Sequence, residues 1–379
     1  MPAPLKVIID AQVLPTVEGG IEQVLIGLLY GLGKTAEVDE EYIILTSWKD
    51  PYWLKPYLSS NQKIVPMPKP KGMCFERVKS SLGPLRASLG VINRRLCQIV
   101  SGGRRGLPKS DIPDTPSSDG FYERLGAKVL HVTYPLHFIK TAVPTLFSIY
   151  DLQHCHYPEF FSTSHMAWRN RLYPEAFSSS RYITVDSEFV RKDVIKFYGV
   201  DPQKIYVVPL ASPTEAHGDL PHSKIKMIQK RLRLPEKFIF FPATIYGHKN
   251  HIRLLEAIRL LRDKHHLKTQ LICTGRLALC WPQIKRRMNE LRLSGQVRFL
   301  GFVSYDELQT IYHSAQFMVF PSLFEGAGLP VLEALREGLP VTCSRIPALQ
   351  EYCGDSALYF DALSVDDIAQ SIRKMSIDS

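Results

Sequence analysis

The apolar residues of this chain fall into short unbroken runs, separated by stretches in which they recur every three or four positions. LKVIIDAQVL (5–14) is the first run, continuous as a strand buried on both faces of a parallel sheet must be. Gly19 and Gly20 then make a turn, and Ile21, Val24, Leu25, Leu28 and Leu29 draw a helical stripe. YIILTSW (42–48), KIVPMP (63–68), VLHVTYP (129–135), PTLFSIYD (144–151), RYITVDSEF (181–189) and KIYVVPL (204–210) repeat the strand pattern, and VRKDVIKFYGV reads as a helix. This alternation predicts a Rossmann-like first domain over 1–210. ASPTEAHGDLPHSK (211–224) has the Pro, Gly and polar content of a linker. A second series follows over 225–379: KFIFFPA, LKTQLICTG, VRFLGF, AQFMVFPS and LPVTCS as strands. HIRLLEAIRLLRDKH is its clearest amphipathic helix.

At 379 residues the chain exceeds one ordinary core, so two α/β domains agree with its length. An apolar fraction of 45% fits a folded protein. The formal charge of +10 favours anionic partners, among which nucleotide phosphate, lipid headgroups and nucleic acid all qualify. Nucleic acid is the weakest of these, because no zinc-finger spacing, RNP-like pattern or recognition helix is present. Seven scattered cysteines without a CxxC pair suit a reducing, cytoplasmic setting. The start of the chain runs straight into a strand pattern rather than a signal peptide, and no apolar run reaches the roughly 18 residues of a membrane span.

The segment from Lys79 to Lys109 stands apart from the strand rhythm. It mixes Leu, Val and Ile with Arg86, Arg94, Arg95, Arg104 and Arg105, as an interfacial segment does, and a solvated helical hairpin fits it equally well. Peripheral contact with an anionic membrane face is the functional expectation for it.

Candidate chemistry concentrates at FEGAGLPVLEALREG (324–338). Two glutamates, Glu325 and Glu333, stand eight residues apart where a buried strand, a glycine loop and a helix start follow in order. Helix starts present unpaired N–H groups and a positive dipole end, so they seat phosphates. Gly326 and Gly328 let backbone approach a ligand closely.

Four stretches together resemble the family-4 retaining glycosyltransferases: FPATIYGHKNHIRLLEAI, LICTG, the long stretch VRFLGFVSYDELQTIYHSAQFMVFPSLFEGAGLPVLEALREGLPVTCS, and DLQHCHYPEFF in the first half. The resemblance implies the GT-B fold, two facing Rossmann-like domains with a central cleft. The donor, a nucleoside-diphosphate sugar, would bind chiefly the C-terminal domain, and a glycan or lipid-linked acceptor chiefly the N-terminal one, without metal or other cofactor. It further implies that Glu333 meets the ribose and Glu325 the sugar. The amides of Gly326, Ala327, Gly328 and Leu329 would face sugar hydroxyls and diphosphate, Lys249 with His248 the phosphates, and the Gly19–Gly20 loop the donor phosphate or acceptor. The family's arginine shortly before the lysine is absent from ATIYGHK. Its usual histidine is replaced by Tyr150, so Tyr150 and Asp151 become the candidates for positioning sugar or acceptor, with His154 and His156 behind them. The resemblance also implies a C-terminal helix crossing back onto the first domain, and IAQSIRKMSIDS ends soon after the last strand–helix unit. Two other readings stand beside a transferase: a sugar-nucleotide epimerase on the same fold, and an inactive binding protein.

Overall fold

A computed structural model describes residues 4–15, 19–35, 39–68, 115–278 and 280–378. The basic segment 79–109, with its expected membrane contact, lies outside the described residues. The chain divides into two compact units at Pro209/Leu210.

The first unit is built on a seven-stranded sheet: β1 (Leu5–Ala11), β2 (Glu40–Thr46), β3 (Gln62–Pro66), β4 (Val129–Val132), β5 (Thr145–Ile149), β6 (Tyr182–Val185) and β7 (Ile205–Val207), in the order β3-β2-β1-β4-β5-β6-β7. Every pairing is parallel; Ile9, for example, lies between Ile44 of β2 and His131 of β4. Ile8, Ile9, Leu130, Val132 and Phe147 are sealed from solvent, which is why these strands read as unbroken apolar runs.

The second unit carries a six-stranded parallel sheet: β8 (Ile239–Pro242), β9 (Leu271–Thr274), β10 (Val297–Phe299), β11 (Phe317–Phe320), β12 (Val341–Ser344) and β13 (Ala357–Phe360), in the order β10-β9-β8-β11-β12-β13. Phe240, Phe241, Phe317 and Phe320 fill its core. Segment 211–224, expected as a linker, belongs to this unit. It contains the short helix Thr214–His217 and the start of the helix His222–Leu232. His217 stacks on Tyr305 at 3.5 Å between ring centroids, and the Thr214 and Tyr305 hydroxyls are 3.0 Å apart. Composition marks a chain as turn-rich, but only these contacts decide that it packs.

In both sheets the strand order reverses beside the first strand, between β1 and β4 and again between β8 and β11. Crevices at the carboxyl ends of such strands are where open α/β sheets hold ligands.

Candidate functional site: the switch point of the second sheet

The chain leaving β8 runs through Ala243–Tyr246, turns over Gly247–Lys249 and enters the helix His251–His265. Asn250, at φ 60°, is in the left-handed region, which Asn tolerates better than most residues. Its Nδ2 donates to Pro321 O at 3.1 Å and Ala362 O at 2.8 Å, and its Oδ1 accepts from Arg253 Nη1 at 3.0 Å. The Leu323 amide donates to the His248 carbonyl at 2.7 Å. These bonds fasten the loop after β8 to the loop after β11.

As a result, Lys249 Nζ donates to Glu325 Oε1 at 2.5 Å and stands 5.3 Å from the Phe320 ring centroid. The two side chains are only 15% and 11% exposed, so their charges are screened far less than those of a surface pair. Beyond Glu325, Gly326, Ala327 and Gly328 are buried. Gly328 caps the helix Leu329–Arg336 at φ 82°, a backbone that favours glycine, and a Cβ there would lie 2.4 Å from Leu349 Cδ2 and force that side chain to shift. Pro330 in the first turn is a position where the missing N–H costs nothing.

Glu333 follows one turn on and is 4% exposed. Tyr312 Oη donates to its Oε2 at 2.9 Å. Burial raises its carboxyl to about 7, the Tyr312 hydrogen bond pulls it down, and the nearby charge of Glu337 pushes it up. His248 goes the other way: burial, with the positive charge of Lys249 and a contribution from His251, lowers it to about 2. It is therefore neutral at pH 7 and cannot supply the charge of the missing arginine. A cation that sequence reading passed over lies at the end of β9. Arg276 accepts the Ile245 amide at its carbonyl, its guanidinium lies 5.7 Å from the Phe302 ring centroid, and its Nη2 is buried without a partner. Gly275 before it, at φ 115°, lets this chain press against the Ala243 carbonyl.

The N-terminal candidates are more dispersed. Gly19, at φ 60°, precedes the helix Gly20–Thr35; both glycines are exposed, and a Cβ on either would meet nothing within 4 Å. Tyr150 follows β5, and burial pushes its phenol up despite a hydrogen bond with Ser148. Asp151 Oδ1 accepts the Gln153 amide at 2.9 Å and so opens the short helix Gln153–His156. His154 is 1% exposed, with Nε2 2.9 Å from Tyr198 Oη and an edge-on contact with Tyr173, and burial lowers it to about 4. His156 Nε2 lies 2.5 Å from Asp193 Oδ2. Both histidines thus make contacts within the first unit. At the switch point of this sheet stands a cluster that the sequence reading missed. Asp10, 1% exposed, accepts from the Gln12 amide and Nε2 at 3.2 Å each, and His137 Nδ1 is 3.4 Å from its Oδ1. The only sequence signal for it is an aspartate inside an apolar run.

Among the described residues, no group of three or more His, Cys, Asp or Glu side chains comes together as metal ligands would. No helix among them is long and apolar enough to cross a membrane.

Two parallel Rossmann-like sheets, of seven and six strands, match the GT-B fold of solved glycosyltransferase structures. HepE of Anabaena, solved in complex with UDP and glucose, superposes with a TM-score of 0.65 at 14% identity over 99% of this chain and 90% of its own. WaaG, a glycosyltransferase involved in lipopolysaccharide biosynthesis, gives 0.64 at 14% identity over 98% and 90%. Residues 223–379 match the model of the family glycosyl transferases group 1. O-antigen chain mannosyltransferase B of Escherichia coli is 28% identical over 243 residues, which is 63% of this chain and 62% of that protein. The O-antigen chain mannosyltransferase RfbU of Salmonella typhimurium is 27% identical over 56% and 55%. In both, the match spans less than two thirds of the relative's length.

Proposed function

We propose that the protein is a glycosyltransferase that moves a hexose, mannose by analogy with its relatives, from a nucleoside-diphosphate sugar to a glycan or lipid-linked acceptor with retention of configuration. The observation that carries this reading is the convergence of Lys249, Glu325 and the start of the helix Leu329–Arg336 at one switch point, with Glu333 a turn further on. When a sugar leaves a nucleoside diphosphate, negative charge grows on the β-phosphate, and a fixed cation and helix-start amides lower its cost. Lys249 is already held in place by Glu325, so little reorganisation is needed when phosphate arrives. Glu333 would accept hydrogen bonds from the ribose. Tyr150 and Asp151 would position sugar or acceptor. The sequence offers no carboxylate pair assignable as base and nucleophile, which favours a same-face route in which the donor phosphate helps deprotonate the incoming hydroxyl.

Lys249→Ala is expected to lower turnover about a hundredfold, the usual cost of one electrostatic donor, about 3 kcal/mol. Proton NMR of the product is expected to show an α-linked product from an α-linked donor. A β-linked product would remove the retaining route, and full activity in Lys249→Ala would remove the phosphate assignment.

A further inference from the structure

Tyr312 lies on the helix Tyr305–Ser314 and is 3% exposed, one of the most deeply buried polar side chains near the switch point. Its hydroxyl is within reach of two acceptors, Glu333 Oε2 at 2.9 Å and the Pro330 carbonyl at 3.2 Å. A phenol has one proton to donate. With Glu333 ionised, that proton goes to the carboxylate. With Glu333 protonated, the carboxyl donates to the Tyr312 oxygen and Tyr312 turns its own proton to Pro330. Either way Oε2 is committed to Tyr312, and only Oε1 remains to meet a ligand.

We infer that Tyr312 is a positioning residue for ribose recognition: its hydroxyl fixes Oε2 of Glu333 so that Oε1 accepts from the hydroxyls of a nucleoside diphosphate. The inference rests on the assignment of Glu333 to ribose made above. A carboxylate with 4% of its surface exposed has a narrow approach, and an acceptor that must meet a pair of hydroxyls has to be oriented before they arrive. Tyr312 supplies that orientation from a different helix.

The surroundings of Glu333 are simple enough to give this arrangement a pH signature. Tyr312 faces it from the helix Tyr305–Ser314, with Tyr305 behind, and Glu337 faces it from the end of its own helix segment. Glu337 is in turn paired with His313 Nε2 at 2.9 Å, and Gln309 Nε2 lies 3.5 Å from it. β11, β12 and the helix Pro347–Cys353, which also pack here, add no charge to Glu333. Ribose hydroxyls bind an ionised carboxylate best, so preference for ribose should strengthen as pH rises through about 7. The Tyr312 hydrogen bond stabilises the ionised form, so removing it must move that midpoint upward.

The test is calorimetric titration of the full chain with GDP, UDP and ADP, and then with the 2′,3′-dideoxy form of the tightest binder, between pH 5.5 and 8.5. The wild type is expected to prefer the ribonucleotide about tenfold at pH 8 and less at pH 6. Tyr312→Phe is expected to reduce the preference to within about twofold and to raise its midpoint. If that variant does not fold, 3-fluorotyrosine at position 312 keeps the packing and strengthens the donor, and it is expected to lower the midpoint. An unchanged preference and midpoint in whichever variant folds overturns the role of Tyr312 while leaving the nucleotide site standing. A wild type that binds none of the three nucleotides, or binds ribo and dideoxy forms equally, overturns the ribose assignment and this inference together.

Discussion

At the scale of single residues, the site is defined by what each side chain is denied. Lys249 and Glu325 are kept from water and must answer each other, so each is fixed before a substrate arrives. The exposed glycines are denied a side chain instead. Gly20 opens a helix and a Cβ on it would meet nothing, so Gly20→Ala should leave stability unchanged or slightly raised. If donor or acceptor must touch this bare backbone, the same variant loses turnover, and that pairing of intact melting temperature with reduced rate is the expected outcome. An active variant would reduce the loop to a tight βα turn. Glu333 yields a prediction of the opposite kind. Its carboxyl, raised by burial to about 7, is neutral in the folded protein at pH 5 but ionised in the unfolded chain. The stabilisation this gives is complete below about pH 4.5 and is lost as pH climbs through 7. Glu333→Gln keeps the shape without the charge, so it should gain on the wild type between pH 6 and 8 in urea-unfolding measurements while binding nucleotide more weakly.

At the scale of elements, what could be read from the sequence is what is buried symmetrically. β1 from Ile8 onward and all of β11 are buried, so their apolar runs are unbroken and both strands are legible, as is the glycine-capped helix after β11. β13 (Ala357–Phe360) was not, because three of its four residues are only partly buried at the sheet edge. The helix Thr163–Ser179 carries Pro174 within it and has no clear apolar stripe. The candidate site was legible as far as Lys249, Glu325 and Glu333, which sit in local strand–loop–helix patterns. Tyr312 and Asp10 were not, since their partners are set by long-range packing. The histidines illustrate the same limit: nothing in HCH announces Tyr198 and Asp193 as neighbours, 44 and 37 positions away. Asn250 is the element-scale device most open to test. Its two bonds reach 71 and 112 residues along the chain and hold the Lys249 turn against the ends of β11 and β13. Asn250→Ala loses both and leaves two buried carbonyls unpaired, at a cost of about 2–4 kcal/mol. Melting should drop accordingly. Misplacement of Lys249 should lower kcat in the fraction that remains folded, whereas a purely structural role would leave kcat per folded molecule intact.

At the scale of the whole molecule, each unit has its own core, and each keeps histidines neutral by burial. His131, His154 and His165 in the first unit are lowered to about 4, as is His217 in the second, where His251 falls to about 3 and His248 to about 2. In every case burial is the leading cause. A depressed histidine supports folding fully above its unfolded value near 6.5. Below that, the unfolded chain takes up a proton that the folded one refuses until about pH 4 or lower, so stability drains as the solution is acidified. Each such group contributes a slope of at most about 1.4 kcal/mol per pH unit. Glu333 opposes this between about pH 4.5 and 7, but it is one group against several. Calorimetric unfolding should therefore show a steep loss of stability from pH 6.5 towards 4. His251 allows the cause to be isolated. It is 3% exposed, both its ring nitrogens lack partners, and its ring lies 4.7 Å from that of Phe241 and 5.9 Å from that of Phe299. Phe in its place keeps an aromatic ring in this company and removes two unpaired nitrogens. His251→Phe should match or exceed wild-type stability at pH 7.5 and lose less of it by pH 5. A variant with the wild-type pH slope would place the acid sensitivity elsewhere.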